Sequence, residues 1–214
     1  MKYDLIIFDC DGVIVDSEPI ANRIFAKLLH ELGYSLTYAE CEKMFTGRSD
    51  KDCLALLEEK TGMAPQKDLF EIFDERAFKA YEKELKTVEG IEEIISLLNF
   101  DDFCVATNAP EKKIYKTLGI TGLLPKFKGK IFSSSMVERP KPFPDLFLYA
   151  AKKMNAVPEK CVVIEDSPYG VSAAVSAGMD VLGYCKRTDK KILKNAGAIT
   201  FNRMSDLKTL LGLN

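Results

Sequence analysis

The sequence predicts an α/β chain: a parallel sheet covered by helices on both faces, with a helical bundle inserted into it. Short apolar runs lacking a polar face are separated by helix-patterned stretches, as expected of parallel strands buried on both sides. More than ninety residues separate the first two strands, whereas a single-helix crossover needs only a few tens. That long interval is helical in pattern throughout.

In chain order, the first strand is predicted over Tyr3 to Phe8. Pro19 then suits a first helical turn, Ile20, Ile24, Phe25, Leu28, Leu29 and Leu32 share one face, and Gly33 ends the helix. Thr37 and Glu40 have capping-box spacing, and Ser49 can cap a helix carrying Leu54, Leu57 and Glu58. Leu69, Phe70, Phe73, Ala77, Phe78 and Tyr81 mark a longer helix closing near Leu85. Residues 17–87 therefore read as a helical cap domain, and residues 1–16 with 88–214 as the α/β core.

After the insert, the pattern gives a helix over Ile91 to Leu98, a strand over Phe103 to Thr107 and a helix over Glu111 to Leu118. A strand over Lys130 to Phe132, a helix over Pro144 to Met154, and a strand over Cys161 to Glu165 follow. A helix over Tyr169 to Ala177 and a strand over Asp180 to Tyr184 complete the core, and a short strand fits Ala198 to Phe201. Gly119 and Gly178 suit helix ends.

Composition narrows the partners. With 214 residues and 47% hydrophobic content, the chain can bury a large core. Thirty basic against 32 acidic side chains leave a net charge of -2, so no strong field favours nucleic acid or an anionic membrane. A small-molecule partner is expected. The apolar runs are strand-sized, and the N-terminus lacks a signal-peptide pattern, so a soluble, cytoplasmic protein is expected; a monomer is the default expectation. Six cysteines without a C-x-x-C pair read as reduced core thiols.

The chemistry concentrates at the strand ends. In "IIFDCDGVIVDS", Asp9, Asp11 and Asp16 follow an apolar run that would otherwise form an ordinary buried strand, and unpaired buried charges cost several kcal/mol each. Ligands of open parallel sheets bind outside the carboxyl ends of the strands. Alternation turns Asp9 and Asp11 to one side, and Gly12 permits a sharp turn. Thr107-Asn108 follows "FCVA", and Glu165-Asp166-Ser167 follows "CVVI". Lys141, between Pro140 and Pro142, adds a cation on a stiffened segment. Converging carboxylates make a hard-oxygen site suited to Mg2+, and a lysine with a hydroxyl suits a phosphate. With charge so compensated, an aspartate can act as nucleophile in phosphoryl transfer.

The motifs "DCDGVIVDS", "TN", "KPFPD" and "IEDS", in this order and with a helical insertion after the first, resemble those of the haloacid dehalogenase superfamily, in its phosphatase and β-phosphoglucomutase-like branch. The resemblance implies a Rossmann-like core and a mobile cap. It implies Asp9 as the nucleophile that forms an aspartyl-phosphate and Asp11 as the acid and then the base. Thr107, Asn108 and Lys141 would hold the phosphate. Mg2+ would be held by Asp9, Asp166 and the backbone carbonyl of Asp11, with Glu165 in or near its outer sphere. The cap segment around Gly47 and Arg48 would read the substrate, a small phosphorylated metabolite such as a sugar or sugar-acid phosphate.

Plainer roles compete for some of these residues. Asp16 can be a turn former, Glu165-Asp166 can be helix N-terminal carboxylates, and Arg48 can be a solvated side chain. His30 reads as structural. Sugar phosphomutase and a non-enzymatic phosphoacceptor or metabolite-binding module are the alternative functions; the former lacks here the histidine expected near Ala21, and the latter has no use for a large insert.

Overall fold

The computed structural model of the chain describes residues 2–45, 48 and 50–213. Two compact units emerge, Met1–Val15 with Thr87–Asn214 and Asp16–Lys86.

The first unit is built on six parallel strands, β1 (Leu5–Phe8), β2 (Phe103–Thr107), β3 (Ile131–Ser133), β4 (Cys161–Glu165), β5 (Asp180–Tyr184) and β6 (Ile199–Phe201), in the order β3-β2-β1-β4-β5-β6. β1 pairs with β2 and β4, placing Phe8 beside Val105 and Ile164. Every residue of the first four strands is buried, which is why their sequences alternate so little. Leu5, Ile7, Cys104 and Val163 face a core shared with Phe147, Val171 and Leu193. Phe8, Phe103 and Phe127 meet edge to face, with centroids 6.3 and 5.2 Å apart. Six helices surround the sheet in sequence: α5 (Ile91–Ser96), α6 (Glu111–Ile120), α7 (Asp145–Lys153), α8 (Pro168–Ser176), α9 (Lys190–Ala196) and α10 (Leu207–Leu211). With the four of the insert, ten α-helices lie among the described residues.

Several local expectations shift; β3, expected over Lys130 to Phe132, runs over Ile131–Ser133, and α5 ends at Ser96 instead of Leu98. β1 starts at Leu5, not Tyr3: Tyr3 is buried, but it is held by a hydroxyl bond to Asp180 Oδ2 at 2.7 Å. Gly119 does not end α6, which continues to Ile120; the left-handed residue is Gly122, at φ 74°. Gly178, at φ 75°, follows α8 as expected. The helices α9 and α10 have no counterpart in the sequence pattern.

The second unit holds α1 (Glu18–Glu31), α2 (Tyr38–Phe45), α3 (Asp50–Thr61) and α4 (Leu69–Glu84). Phe25 is its aromatic centre, 5.0 Å from Phe45, 5.1 Å from Phe73 and 5.6 Å from Phe70 between ring centroids. Thr37 and Glu40 cap α2 reciprocally: Glu40 N–H donates to Thr37 Oγ1 at 3.3 Å, and Thr37 N–H donates to Glu40 Oε2 at 3.0 Å. Ser49, expected to cap α3, lies outside the described residues. His30 is exposed in the last turn of α1, where a cation complements the helix dipole. All six cysteines are free thiols, five of them buried. Among the described residues, no helix is long and apolar enough to cross a membrane.

Candidate active site

The carboxyl ends of β2, β1 and β4, neighbours in the sheet, carry the polar and charged residues. Thr107 and Glu165 are the last residues of their strands, and Asp9 extends β1 by one, its N–H donating to Ile164 O at 2.9 Å. The strand order reverses direction around β1, where a crevice opens in sheets of this kind. A strand end is where a polar side chain can leave an otherwise apolar ladder.

Lys141 ties two of these ends together. Its Nζ donates to Asp9 Oδ1 and to Glu165 Oε1, both at 2.7 Å. The three side chains are only 3%, 11% and 1% exposed, so charge-assisted bonds here act with little solvent screening. Glu165 spends its other oxygen on a turn, Oε2 accepting from the N–H groups of Asp166 and Ser167 and from Ser167 Oγ at 2.9–3.0 Å. Ser167 Oγ in turn accepts from Gly170 N–H at 3.0 Å, capping α8. Burial lifts the Asp9 carboxyl to about 7, against the pull of Lys141 and with the repulsion of Glu165 and Asp11. Burial also works to lower Lys141, but Asp9 and Glu165 overrule it and hold the ammonium's pKa above its ordinary value. The lysine therefore stays charged.

Asp9, Glu165 and Asp166 each bring one oxygen to within 4.8 Å of the others, and all three are buried. Together with Lys141 they place three acidic groups against one ammonium, and their donors are all hard oxygens. Such a set fits a small divalent cation such as Mg2+. Space is also reserved for these groups. Gly12, at φ 78°, has no room for a side chain, because a Cβ there would stand 2.0 Å from Asp166 Oδ2.

The polar loops are cross-linked around the lysine. Asn108 Nδ2 donates to Lys141 O at 3.1 Å and Oδ1 accepts from Lys141 N–H at 3.0 Å, so its amide clamps the lysine's backbone. Ser134 Oγ donates to Asn108 O at 2.9 Å and Ser133 Oγ to Ala109 O at 3.0 Å. Thr107 is buried, its Oγ1 accepting from Ala109 N–H at 3.2 Å. The expected phosphate ligands thus gather at one place, with the Asn108 side chain engaged on Lys141. Asp11 is half-buried and meets a residue that sequence reasoning passed over: Lys113 Nζ donates to its Oδ2 at 2.8 Å. A lysine in the first turn of α6 was the available signal, because a cation is disfavoured there.

Of the expected cap residues, Gly47 lies outside the described residues, and Arg48 is exposed, its N–H donating to Phe45 O at 3.2 Å. Asp16 belongs to the Asp16–Lys86 unit, where its N–H donates to Lys86 O at 2.9 Å.

Comparison with known proteins identifies the family. The chain is 30% identical to a 6-phosphogluconate phosphatase of Escherichia coli, over 98% of this chain and 95% of the relative. A solved haloacid dehalogenase-like protein of unknown function from Agrobacterium tumefaciens superposes with a TM-score of 0.85 at 33% identity, covering 98% of both chains. A HAD family hydrolase from Deinococcus radiodurans, solved with bound phosphate and sodium, gives 0.81 at 29% identity, covering 99% of this chain and 96% of that one. The family model for haloacid dehalogenase-like hydrolases matches residues 3–178, and the chain belongs to that family.

Proposed function

We propose that this hydrolase is a Mg2+-dependent phosphomonoesterase acting on a small phosphorylated metabolite, of the sugar or sugar-acid phosphate class. One observation carries the reading: Lys141 joins Asp9 to Glu165 beside Asp166, at the ends of adjacent strands. The substrate class is supported by the 6-phosphogluconate phosphatase relative, and a phosphate site by the phosphate bound in the Deinococcus radiodurans hydrolase.

In this reading a carboxylate oxygen of Asp9 attacks phosphorus, forming an aspartyl-phosphate as the bond to the leaving oxygen breaks. Asp11 gives that oxygen a proton. Water then attacks the aspartyl-phosphate, Asp11 takes the water's proton, and the bond from Asp9 to phosphorus breaks to release phosphate. Lys141 neutralises charge on the phosphoryl oxygens, and Thr107 with the Asn108 backbone N–H offers them hydrogen bonds. Asp9, Asp166 and the Asp11 carbonyl would hold Mg2+, with Glu165 behind them as an organiser of Lys141 and of the Asp166 turn. When bound, the metal supplies positive charge that offsets the repulsion between a carboxylate and a phosphate. Arg48 is assigned the reading of anionic or hydroxyl groups on the leaving group, for which a forked guanidinium is suited.

The test is phosphate release from a panel of phosphomonoesters with and without Mg2+. Asp9→Asn should lose activity by several orders of magnitude without unfolding, since an amide is no nucleophile. Turnover retained in that variant would move the nucleophile elsewhere.

A further inference from the structure

We infer that Lys113 is a positioning residue for the acid–base step, holding the Asp11 carboxylate by one oxygen so that proton transfer falls to the other. The inference rests on the phosphomonoesterase reading. Its ground is the ion pair between Lys113 Nζ and Asp11 Oδ2 at 2.8 Å, with the two side chains only 25% and 19% exposed.

The backbone on either side of Asp11 is held by main-chain hydrogen bonds. A tight loop follows β1: Gly12 N–H donates to Val15 O at 2.9 Å, and the N–H groups of Ile14 and Val15 donate to Cys10 O at 2.9 and 3.0 Å. That loop leaves the strand ladder, so pleat alternation no longer sets where the carboxylate points. Lys113 supplies a direction from another element. Its own placement is secured by α6, where Thr117 Oγ1 donates to the Lys113 carbonyl at 3.0 Å.

The position of Lys113 breaks a local rule. Glu111, Lys112 and Lys113 open α6, and cations in a first turn oppose the helix dipole. Lys112 is exposed, where solvent screens that cost; Lys113 is half-buried, where screening is weaker. A local rule broken at a half-buried position, with the compensating anion being the proposed acid, is the kind of exception that accompanies function. Lys141 and Lys113 then divide the work: the first serves the phosphoryl end, the second the leaving-group end. With Lys113 on Oδ2, the proton of the neutral acid sits on Oδ1: it passes to the leaving oxygen, which leaves the carboxylate paired with Lys113, and the proton taken from the attacking water restores the acid.

The experiment uses the full chain with Mg2+ and two substrates, 4-nitrophenyl phosphate, whose leaving group departs unaided, and an alkyl or sugar phosphate, whose leaving group needs a proton. Lys113→Met should lower kcat on the second by about 10–100-fold, a part of the roughly 10²–10⁴ that a positioned acid contributes, with KM within about twofold. Nitrophenyl phosphate should lose only a few-fold. Lys113→Arg should restore most of the loss, and in an Asp11→Asn background Lys113→Met should cost nothing further. An equal loss with and without the Asp11 carboxylate would overturn the assignment. So would an effect confined to KM and to anionic substrates, which would make Lys113 a substrate ligand, or no effect at all. A wild-type protein inactive on every phosphomonoester is a separate outcome; it removes the parent reading and this inference with it.

Discussion

Gly170 and Glu165 are packed so closely that no side chain fits between them: a Cβ at residue 170 would lie 1.7 Å from Glu165 Oε1 and 1.9 Å from its Cδ. Gly170 sits in the first turn of α8, where alanine would ordinarily gain about 0.5–1 kcal/mol over glycine. The clash decides the sign. Glu165 cannot yield cheaply, because one oxygen holds Lys141 and the other holds the Asp166–Ser167 turn. Gly170→Ala should therefore destabilise by roughly 1–3 kcal/mol, the scale of overpacking, and lose most activity through a displaced Lys141. Urea unfolding alongside kcat/KM measures both, and a stabilised, active variant would contradict this packing.

The acidic cluster should bind Mg2+ before any substrate arrives. Activity is expected to vanish in excess chelator and return with Mg2+ or Mn2+. A calorimetric or thermal-shift titration without substrate should show stabilisation, about 2.7 kcal/mol at a hundredfold excess over Kd. Asp166→Asn should weaken that shift as well as the activity. A normal metal-induced shift in this variant would take Asp166 out of the ligand set.

Asn108 provides a case where the sequence indicates a neighbourhood and the structure indicates a role. Its amide meets the Lys141 backbone with both polar groups. Asn108→Ala should leave a buried N–H and C=O without these partners, at about 1–3 kcal/mol in stability, and lower kcat/KM by roughly 10–100-fold as the lysine loosens. Were Asn108 instead a direct phosphate ligand, inhibition by inorganic phosphate would weaken with stability untouched. Unfolding and phosphate-inhibition curves on one variant separate the two.

What could be read in advance follows burial. The runs "FCVAT" and "CVVIE" match β2 and β4 in full because both faces are covered and every residue reports it. Tyr3 misled because its ring is buried while its hydroxyl, bonded to Asp180 Oδ2, decides its place. The seven-residue α9 buries only Leu193 and so has no periodicity to detect. Its readable signals were the ends, Asp189 accepting from Lys191 N–H and Gly197 at φ 115°. Asp9 and Asp166 were legible as charges just past buried apolar runs, and Lys141 as a cation held between two prolines. The Asn108 clamp and the Lys113–Asp11 pair were not, because their partners stand 33 and 102 residues away and only the strand order brings them together.

Lys130 offers a stability test at the N-terminal end of β3. It is 4% exposed, just ahead of β3, with its ammonium bonded to the Phe100 carbonyl and lying 3.8 and 3.6 Å from the ring centroids of Phe100 and Phe103. Burial lowers its pKa from 10.5 to about 8, only partly opposed by Cys104, Asp101 and Asp102. A base with a depressed folded pKa is penalised while charged, so the cost is fully present below about pH 8. Between pH 8 and 10.5 the unfolded chain binds more protons than the folded one, and stability rises with pH. The full shift sets an upper limit of about 3 kcal/mol; cation–π attraction, at about 0.5–2 kcal/mol, returns part of it. The stability of the wild type relative to Lys130→Met should therefore climb by about 1–2 kcal/mol between pH 7.5 and 10. Urea unfolding of both proteins at the two pH values measures the difference, and a flat or falling difference would mean that the ammonium keeps its ordinary affinity for the proton in the fold.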